Sequence, residues 1–194
     1  MSDIRVERYV KLVYISNFTA LAVVLKFFEI PFPLAPFLKY DFSGIPLMVL
    51  GFRSLKWALL ALPAYYVIPV VMGSDPIGMA MKVLAEAFTF TPFILLYRRL
   101  VQHSPWSTAY TLSSLAALLS RTALMTLVNL AVTPLWLMLS YPKSYPDYIS
   151  AFNLTLKLTP YIAVFNATLA VIVLVLTAPI FRILARVGLL YDKE

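Results

Sequence analysis

The sequence predicts an all-α integral membrane protein in which six transmembrane helices form a single domain over residues 1–194. Hydrophobic residues make up 61% of the chain and charged residues only 13%, whereas a soluble domain is about half apolar and about a quarter charged. The mean hydropathy is +0.84. A soluble core of this size cannot bury so much apolar surface. At roughly 20 residues per crossing, the length allows about five or six spans.

Composition also excludes several kinds of site. The chain has no cysteine and one histidine, His103, which excludes disulfides and cysteine- or histidine-rich metal sites. The net charge of +7 would suggest nucleic-acid binding in a soluble protein, but in a membrane protein basic residues orient the loops. We therefore expect no metal and no nucleic-acid partner. No small-residue cleavage site follows the first apolar run, so we also expect no cleavable signal peptide.

Span one is predicted from Leu12 to Phe28. Within it, Ser16 and Ala20 are four residues apart and therefore share one helix face. Small residues at this spacing let another helix approach closely. The pair is a candidate docking face for a partner subunit, although small residues are common in spans and chance also produces this spacing.

The segment over residues 27–46 is rich in proline and apolar side chains. Proline fixes its own φ, lacks a backbone donor and disfavours a helical predecessor, so the segment cannot be helical between its first and third prolines. A rigid apolar segment must pack against something. We predict a structured first extracellular loop that presents polar groups to a ligand. Its prolines are Pro31, Pro33, Pro36 and Pro46, and its closing charged and aromatic cluster is Lys39, Tyr40, Asp41, Phe42 and Ser43.

The remaining spans follow in order. Span two is short for a complete crossing, and two prolines bend or break span three, which membrane helices tolerate when neighbours satisfy the freed carbonyls. A loop rich in tyrosine, proline and charge, Tyr141–Lys157, precedes the last span. The predicted spans two to six are Gly44–Phe52, Trp57–Met72, Ile77–Tyr97, Trp106–Leu139 and Leu158–Leu184.

Basic residues collect on one side of this layout. With six spans both termini share a side, and the other side offers only Lys39, Lys143 and Lys157. Cytoplasmic loops carry the excess of Lys and Arg, so both termini are predicted to be cytoplasmic. The basic residues on that side are Arg5, Arg8, Lys11, Arg53, Lys56, Arg98, Arg99, Arg182, Arg186 and Lys193.

Polar side chains inside the spans need a role, because a single charged residue at the bilayer centre costs roughly 2.5–3.5 kcal/mol. Together with nearby aromatic residues they are candidates for one outward-facing pocket. A flat heteroaromatic ligand would need aromatic walls for its ring and hydrogen-bond partners for its polar edge and polyol tail. The polar candidates are Lys39, Asp41, Lys82, Glu86, Asn129 and Asn166.

A purely structural interpretation of the same residues stays open. Asn129 and Asn166 would then hydrogen-bond between helices, and Asp41 would cap the helix that follows it. Lys82 and Glu86, four residues apart on one face, would pair with each other.

The sequence shows no catalytic constellation. It has one histidine, in a loop, and no G-x-x-x-x-G-K-[ST] phosphate-binding loop. We therefore expect no enzymatic activity and no cofactor. If the protein takes part in uphill transport, a partner must supply the energy.

Three stretches resemble the riboflavin-specific S components of energy-coupling factor (ECF) transporters. FEIPFPLAPFLKYDFSGIP, at 28–46, resembles their first loop, where a Pro-rich run leads into Phe-Leu-Lys-x-Asp-Phe-Ser. RTALMTLVN, at 121–129, resembles their Arg…Met-Thr…Asn segment, and VFN, at 164–166, resembles the Pro-Phe-Asn motif of the last span. The six-span layout is similar along nearly the whole chain.

The resemblance implies a substrate-binding subunit in the plasma membrane that captures riboflavin from outside. It implies a first loop that closes over the ligand, with the fourth to sixth spans forming the rest of the pocket. It also implies two partners: a transmembrane coupling subunit, which docks at Ser16 and Ala20, and a pair of cytoplasmic ATPases. The implied ligand-binding residues are Leu38, Lys39, Tyr40, Asp41, Phe42, Glu86, Asn129, Phe165 and Asn166.

Two positions depart from the family pattern. The family often has Lys three residues after the last-span Asn, where this chain has Leu169, so one polar contact to the ribityl chain is missing. The family often has alanines four apart in span one, where this chain has Ser16 and Ala20 followed by the bulky Val24.

Other functions fit the same composition. The scaffold would also suit an S component for another vitamin or a queuosine-like precursor. A membrane enzyme acting on lipid would turn over without a partner. A structural subunit of a larger complex would carry no small molecule.

Overall fold

The computed structural model describes residues 2–186, and the side chains of residues 9–184 and 186. This part of the chain forms six helices, as predicted, and one two-stranded antiparallel hairpin. The basic residues Arg5, Arg8 and Lys193, used above for orientation, lie outside the described side chains. In chain order the elements are α1 (Ser2–Lys26), β1 (Ile30–Phe32), β2 (Ala35–Tyr40), α2 (Gly44–Arg53), α3 (Leu55–Val71), α4 (Pro76–Leu100), α5 (Trp106–Ser140) and α6 (Tyr148–Arg186).

Four helices are long and apolar enough to cross a membrane: α1 from Tyr9, α4, α5, and α6 as far as Leu184. The other two are shorter, with 10 residues in α2 and 17 in α3. At 1.5 Å per residue, α2 is about 15 Å long, half of a bilayer core about 30 Å thick. Ser54, in an extended conformation, separates the two. Helix α3 continues through Pro63 and Pro69 without a break.

The Pro-rich segment adds a short hairpin to the predicted helices. β1 pairs with β2 so that Ile30 faces Tyr40 and Pro31 faces Lys39. Proline adopts extended backbone angles and is tolerated at strand edges, where no donor is needed. Prolines that exclude a helix therefore leave room for a short hairpin, and the sequence analysis missed the strand pairing.

The last loop is shorter than predicted, because α6 begins at Tyr148 and not at Leu158. Asp147 accounts for the early start, since its Oδ1 accepts a hydrogen bond from the backbone N–H of Ser150 at 2.9 Å. A side chain that accepts a hydrogen bond from the backbone N–H three residues later is typical of a helix N-cap. The connection between α5 and α6 is therefore residues 141–147.

One end of the bundle is filled with aromatic rings, and we call it the aromatic end. The carboxyl-terminal part of α4, the amino-terminal part of α5 and the carboxyl-terminal part of α6 meet there. Ring centroids are 3.9 Å apart for Phe52 and Phe181 and 5.0 Å apart for Phe93 and Tyr110. All four rings are buried. This end holds the helices together and leaves the opposite end of α4 and α5 free to surround a cavity.

Candidate ligand pocket

A cavity of about 590 Å³ lies at the end of the bundle opposite the aromatic end. Its volume falls in the range of about 300–1,000 Å³ typical of small-molecule sites. The hairpin, the turn before α4, the first half of α4, the second half of α5 and the middle of α6 enclose it. Its lining includes Lys26, Glu29, Phe37, Leu38, Lys39, Ser74, Asp75, Lys82, Arg121, Met125, Asn129, Trp136, Tyr141, Phe165, Asn166 and Leu169.

Five of the predicted binding residues meet at this cavity. Leu38 and Lys39 reach it from β2, Asn129 from α5, and Phe165 and Asn166 from α6. Residues far apart in the sequence therefore converge on one space. The polar pair from α5 and α6 faces the same cavity as the aromatic ring of Phe165.

Two predicted residues, Tyr40 and Phe42, do not line the cavity. The Tyr40 hydroxyl lies 2.7 Å from Thr168 Oγ1, and its ring centroid is 5.1 Å from that of Phe165. Phe32 packs on the same ring, with centroids 5.6 Å apart. Tyr40 therefore fixes the hairpin on α6. Phe42 is 36% exposed and also lies outside the lining.

Asp41 is likewise behind the cavity wall. It is buried, and its carboxylate forms an ion pair with Lys82 of α4. Its Oδ1 accepts hydrogen bonds from the backbone N–H of Ser43, at 2.9 Å, and from the Ser43 hydroxyl. The Ser43 hydroxyl also bonds with the Tyr65 hydroxyl at 2.6 Å. Asp41 thus ties the end of the hairpin to α4, and Lys82 lines the cavity in its place.

Glu86 has a different partner from the one its spacing suggests. Its Oε1 accepts a hydrogen bond from Arg121 Nη1 of α5 at 3.1 Å, and both side chains are almost fully buried. The same Nη1 donates to Thr89 Oγ1 at 3.0 Å. The predicted structural pair between Lys82 and Glu86 is therefore wrong. Each residue pairs with a group on another element, which neutralises two buried charges at once.

The amino end of α2 explains why Glu86 fits so closely. A Cβ atom at Gly44 would overlap Glu86 Oε2 and crowd Val173, so glycine lets α2 approach α4 here without displacing the Glu86 carboxylate. The free N–H groups of a helix start carry partial positive charge and favour a carboxylate. Glu86 therefore lies between a helix amino terminus and a guanidinium, outside the lining of the cavity.

A second charged cluster lies at the cavity mouth. Lys39 Nζ donates to Glu29 Oε2 at 2.6 Å, and Lys26 Nζ lies 3.2 Å from Glu29 Oε1. Lys26 also donates to Ser74 Oγ at 2.6 Å. Burial alone would raise the pKa of Glu29, but the hydrogen bond from Lys39 and the charge of Lys26 outweigh it and leave that pKa below its ordinary value. These bonds tether the hairpin to α1 and to the turn before α4.

The two asparagines hydrogen-bond within their own helices. Asn129 Nδ2 donates to the Met125 carbonyl at 2.7 Å, and Asn166 Nδ2 donates to the Ile162 carbonyl at 2.9 Å. Asn129 Oδ1 accepts from the Thr133 hydroxyl at 2.9 Å. The alternative of helix-to-helix bonds is therefore wrong for these amide nitrogens. Asn166 Oδ1 accepts no hydrogen bond within the described part of the chain, and it is free to accept one from a ligand.

Several lining residues were not predicted, although part of the signal was present. Arg121, Met125, Asn129 and Thr133 follow one another at four-residue steps along α5 and all line the cavity. A helix places such positions on one face, so extending the face from Asn129 would have found them. Trp136 carried no such polar signal. It closes the mouth by stacking on Phe37, with ring centroids 5.9 Å apart.

Ser16 and Ala20 are both exposed on α1. Val13, one turn before them, and Val24, one turn after, are 58% and 53% exposed. The four side chains form a continuous apolar stripe with small residues at its centre.

No protein-family model and no curated protein sequence matches the chain. A solved structure of the S component of a bacterial ECF transporter does match, with a TM-score of 0.69 and 21% sequence identity. The match covers 92% of this chain and 97% of that chain. The chain has the S-component fold. The S-component fold is thus present nearly from end to end, with the cavity enclosed by the hairpin and helices α4 to α6.

Within the described residues, no group of three or more His, Asp or Glu side chains is placed to hold a metal ion. The polar groups at the cavity of this S-component fold are ammonium, guanidinium, carboxylate, amide and hydroxyl groups. They can donate and accept hydrogen bonds and can bind a ligand with both apolar and polar parts.

Proposed function

We propose that the protein is the riboflavin-binding S component of an ECF-type vitamin uptake transporter in the plasma membrane. The observation that carries the proposal is the convergence of Leu38, Lys39, Asn129, Phe165 and Asn166 on one cavity in a chain with the S-component fold. These residues lie in all three stretches that resemble riboflavin-specific S components. The first-loop stretch is the most specific of the three.

The shape and chemistry of the cavity support a flavin-like ligand. Phe37, Trp136 and Phe165 offer aromatic surface to a flat ring, and such contacts add about 0.5–1.5 kcal/mol each beyond area burial. Asn129 and Asn166 offer amide groups to the polar edge or the polyol tail. Binding encloses the ligand under a hairpin whose prolines limit the conformational entropy lost on ordering.

The arrangement of the loops supports binding from outside the cell. The hairpin, the turn at 72–75 and the segment after α5 lie together at the cavity mouth. The positive-inside pattern predicts that these same connections are outside and that both termini are cytoplasmic.

Delivery to the cytoplasm is assigned to partner subunits. The proposed complex contains a transmembrane coupling subunit and two ATPases, which hydrolyse ATP. The exposed stripe around Ser16 and Ala20 is the proposed docking face, because small side chains allow close helix approach in a membrane.

Replacing Ala20 with Trp should abolish co-purification with the coupling subunit and leave riboflavin binding intact. If the Ala20→Trp variant still co-purifies with the coupling subunit and still binds riboflavin, the docking assignment is wrong.

The first test is an absorbance spectrum of the detergent-solubilised protein, followed by riboflavin titration with fluorescence detection. We expect visible flavin bands in the purified protein, or quenching of riboflavin fluorescence that saturates at one ligand per chain. A blank spectrum together with no quenching would reject riboflavin as the ligand.

Two substitutions then test the cavity. Asn129→Leu and Asn166→Leu should each weaken riboflavin binding roughly 10- to 100-fold, because polar ligand groups would be buried without partners. Asn153→Leu is the matched control, since Asn153 is exposed on α6 outside the cavity. Wild-type affinity in both cavity variants would show that the ligand binds elsewhere.

An S component for a different vitamin or precursor is the second candidate. Leu169 lines the cavity where riboflavin-specific relatives often have Lys, so the polyol tail has one partner fewer. Native mass spectrometry of the purified protein separates the two candidates by ligand mass.

A further inference from the structure

Arg121 has hydrogen-bond donors that the described residues do not use. A guanidinium carries five N–H donors. The two donors of Nη1 serve Glu86 Oε1 at 3.1 Å and Thr89 Oγ1 at 3.0 Å. Arg121 Nε is buried without a partner among the described residues. A buried, unpaired donor costs about 1–3 kcal/mol, so Nε needs an explanation.

The position of Arg121 supplies one. The residue is 1% exposed and lines the cavity two turns of α5 below Asn129, on the side away from the mouth. Met125, Ala85 and Leu169 are the apolar lining residues near this inner end. The mouth, in contrast, carries the charged cluster of Lys26, Glu29 and Lys39. An apolar inner end with one donor-rich group suits a ring, and a polar mouth suits a flexible hydroxylated tail.

The charge balance indicates what kind of acceptor Arg121 receives. Glu86 already neutralises its positive charge, and Asp41 neutralises Lys82 beside the cavity. A further anion would add an uncompensated charge to a buried site, which is costly. A neutral carbonyl oxygen accepts hydrogen bonds without that cost.

We infer that Arg121 sets ligand specificity by donating from Nη2 and Nε to a carbonyl oxygen on the inner edge of the ligand ring. Glu86 and Thr89 act as positioning residues, because they hold Nη1 and so fix the plane of the guanidinium. The inference rests on the proposed function in that the ligand is taken to be a flavin, whose ring carries two carbonyl groups. A bound water is the competing way to satisfy the donors.

The decisive variant is Arg121→Lys. Lysine keeps the positive charge opposite Glu86 but lacks the planar fork of donors. We expect riboflavin affinity to fall roughly 10- to 100-fold, as for lost hydrogen bonds to a charged group. Arg182→Lys is the matched control, since Arg182 is exposed at the far end of α6. Unchanged affinity in Arg121→Lys would overturn the inference and favour a bound water.

The affinity of ligand analogues provides a second test, because it would not change if Arg121 had only a structural role. Replacing a ring carbonyl oxygen with sulfur, as in 2-thioriboflavin and 4-thioriboflavin, weakens that acceptor. One of the two analogues should bind the wild-type protein about 10-fold more weakly than riboflavin, and the difference should vanish in Arg121→Lys. Equal binding of riboflavin and both analogues by the wild-type protein would overturn the inference even if the variant fails to fold.

Failure of the proposed function gives a distinct result. If the wild-type protein binds no riboflavin, the thermal stability of wild type and Arg121→Lys is compared with uracil and with lumazine, which carry the same pair of ring carbonyls. Stabilisation of the wild type alone supports the role of Arg121 with a different ligand. If uracil and lumazine stabilise wild type and Arg121→Lys equally, or stabilise neither, the proposed role of Arg121 is wrong.

Discussion

The two ends of the helix bundle are built from the same helices but by different chemistry. At the aromatic end, Phe52, Phe93, Tyr110 and Phe181 fill the space between α2, α4, α5 and α6. At the cavity end, α4 and α5 carry charged and amide groups, and no side chain fills the space between them. The difference indicates that the apolar packing of the bundle and the proposed ligand site lie mainly in separate halves. Substitutions should therefore separate the two properties.

The largest effect should come from the aromatic end. Phe181 is fully buried, and Phe181→Ala should lower the free energy of unfolding by about 3–5 kcal/mol, since it leaves a cavity. Ligand affinity of the folded protein should stay at the wild-type value. Thermal unfolding in detergent and riboflavin titration measure the two. Ile183→Ala, at a position 61% exposed, is the control, and a parallel loss of affinity in Phe181→Ala would show that the two ends are coupled.

The ion pair between Asp41 and Lys82 should show an intermediate effect on both properties. Asp41→Asn removes the charge that binds Lys82 and should lower stability by about 1.5–3 kcal/mol. It should also weaken ligand binding, because the hairpin loses its connection to α4. The double variant Asp41→Asn with Lys82→Met should recover part of the stability, because no unpaired charge remains. If the stability losses of Asp41→Asn and Lys82→Met simply add in the double variant, Asp41 and Lys82 do not interact directly.

A smaller effect is expected at the cavity mouth. Trp136 stacks on Phe37 of the hairpin, and Trp136→Ala should reduce riboflavin affinity roughly 2- to 10-fold, mainly through faster dissociation. Stopped-flow fluorescence measures the rates. Trp136→Phe should retain most of the affinity, and equal dissociation rates for the two variants would remove the stack from the binding mechanism.

The smallest effect concerns pH. The folded pKa of Glu29 lies below its ordinary value of 4.5. The tether to Lys39 and Lys26 is therefore fully present above the unfolded pKa and is lost as the pH falls through the folded pKa. Ligand dissociation should therefore accelerate at a pH below the ordinary pKa of a glutamate. Glu29→Gln should dissociate faster at neutral pH and show no such acid step, and an acid step of wild-type size in that variant would assign it to another group.

The sequence predicted the helices better than the contacts between them. The helix number and the Pro-rich break follow from local hydropathy and proline geometry, and both agree with the structure. The strand pairing of Ile30 with Tyr40 and the early start of α6 at Tyr148 depend on turn and capping details that the apolar pattern hides.

The cavity was predicted in part for the same reason. Asn129 and Asn166 were recognised because polar residues are rare inside apolar spans. The partners of Lys82 and Glu86 were not, since helix spacing reports only neighbours on one face. Asp41 and Arg121 reach them from the hairpin and from α5, and only the packing of separate elements brings these groups together.

The pairing of Glu86 with Arg121 has a consequence for how the chain enters the membrane. Chains are synthesised from the amino terminus, so Asp41 is already present when α4 is made. Arg121 follows Glu86 by 35 residues, on the next helix. During insertion α4 therefore brings a carboxylate to the bilayer before α5 brings the guanidinium that pairs with it. Helix α4 therefore reaches its final position only after α5 has packed beside it.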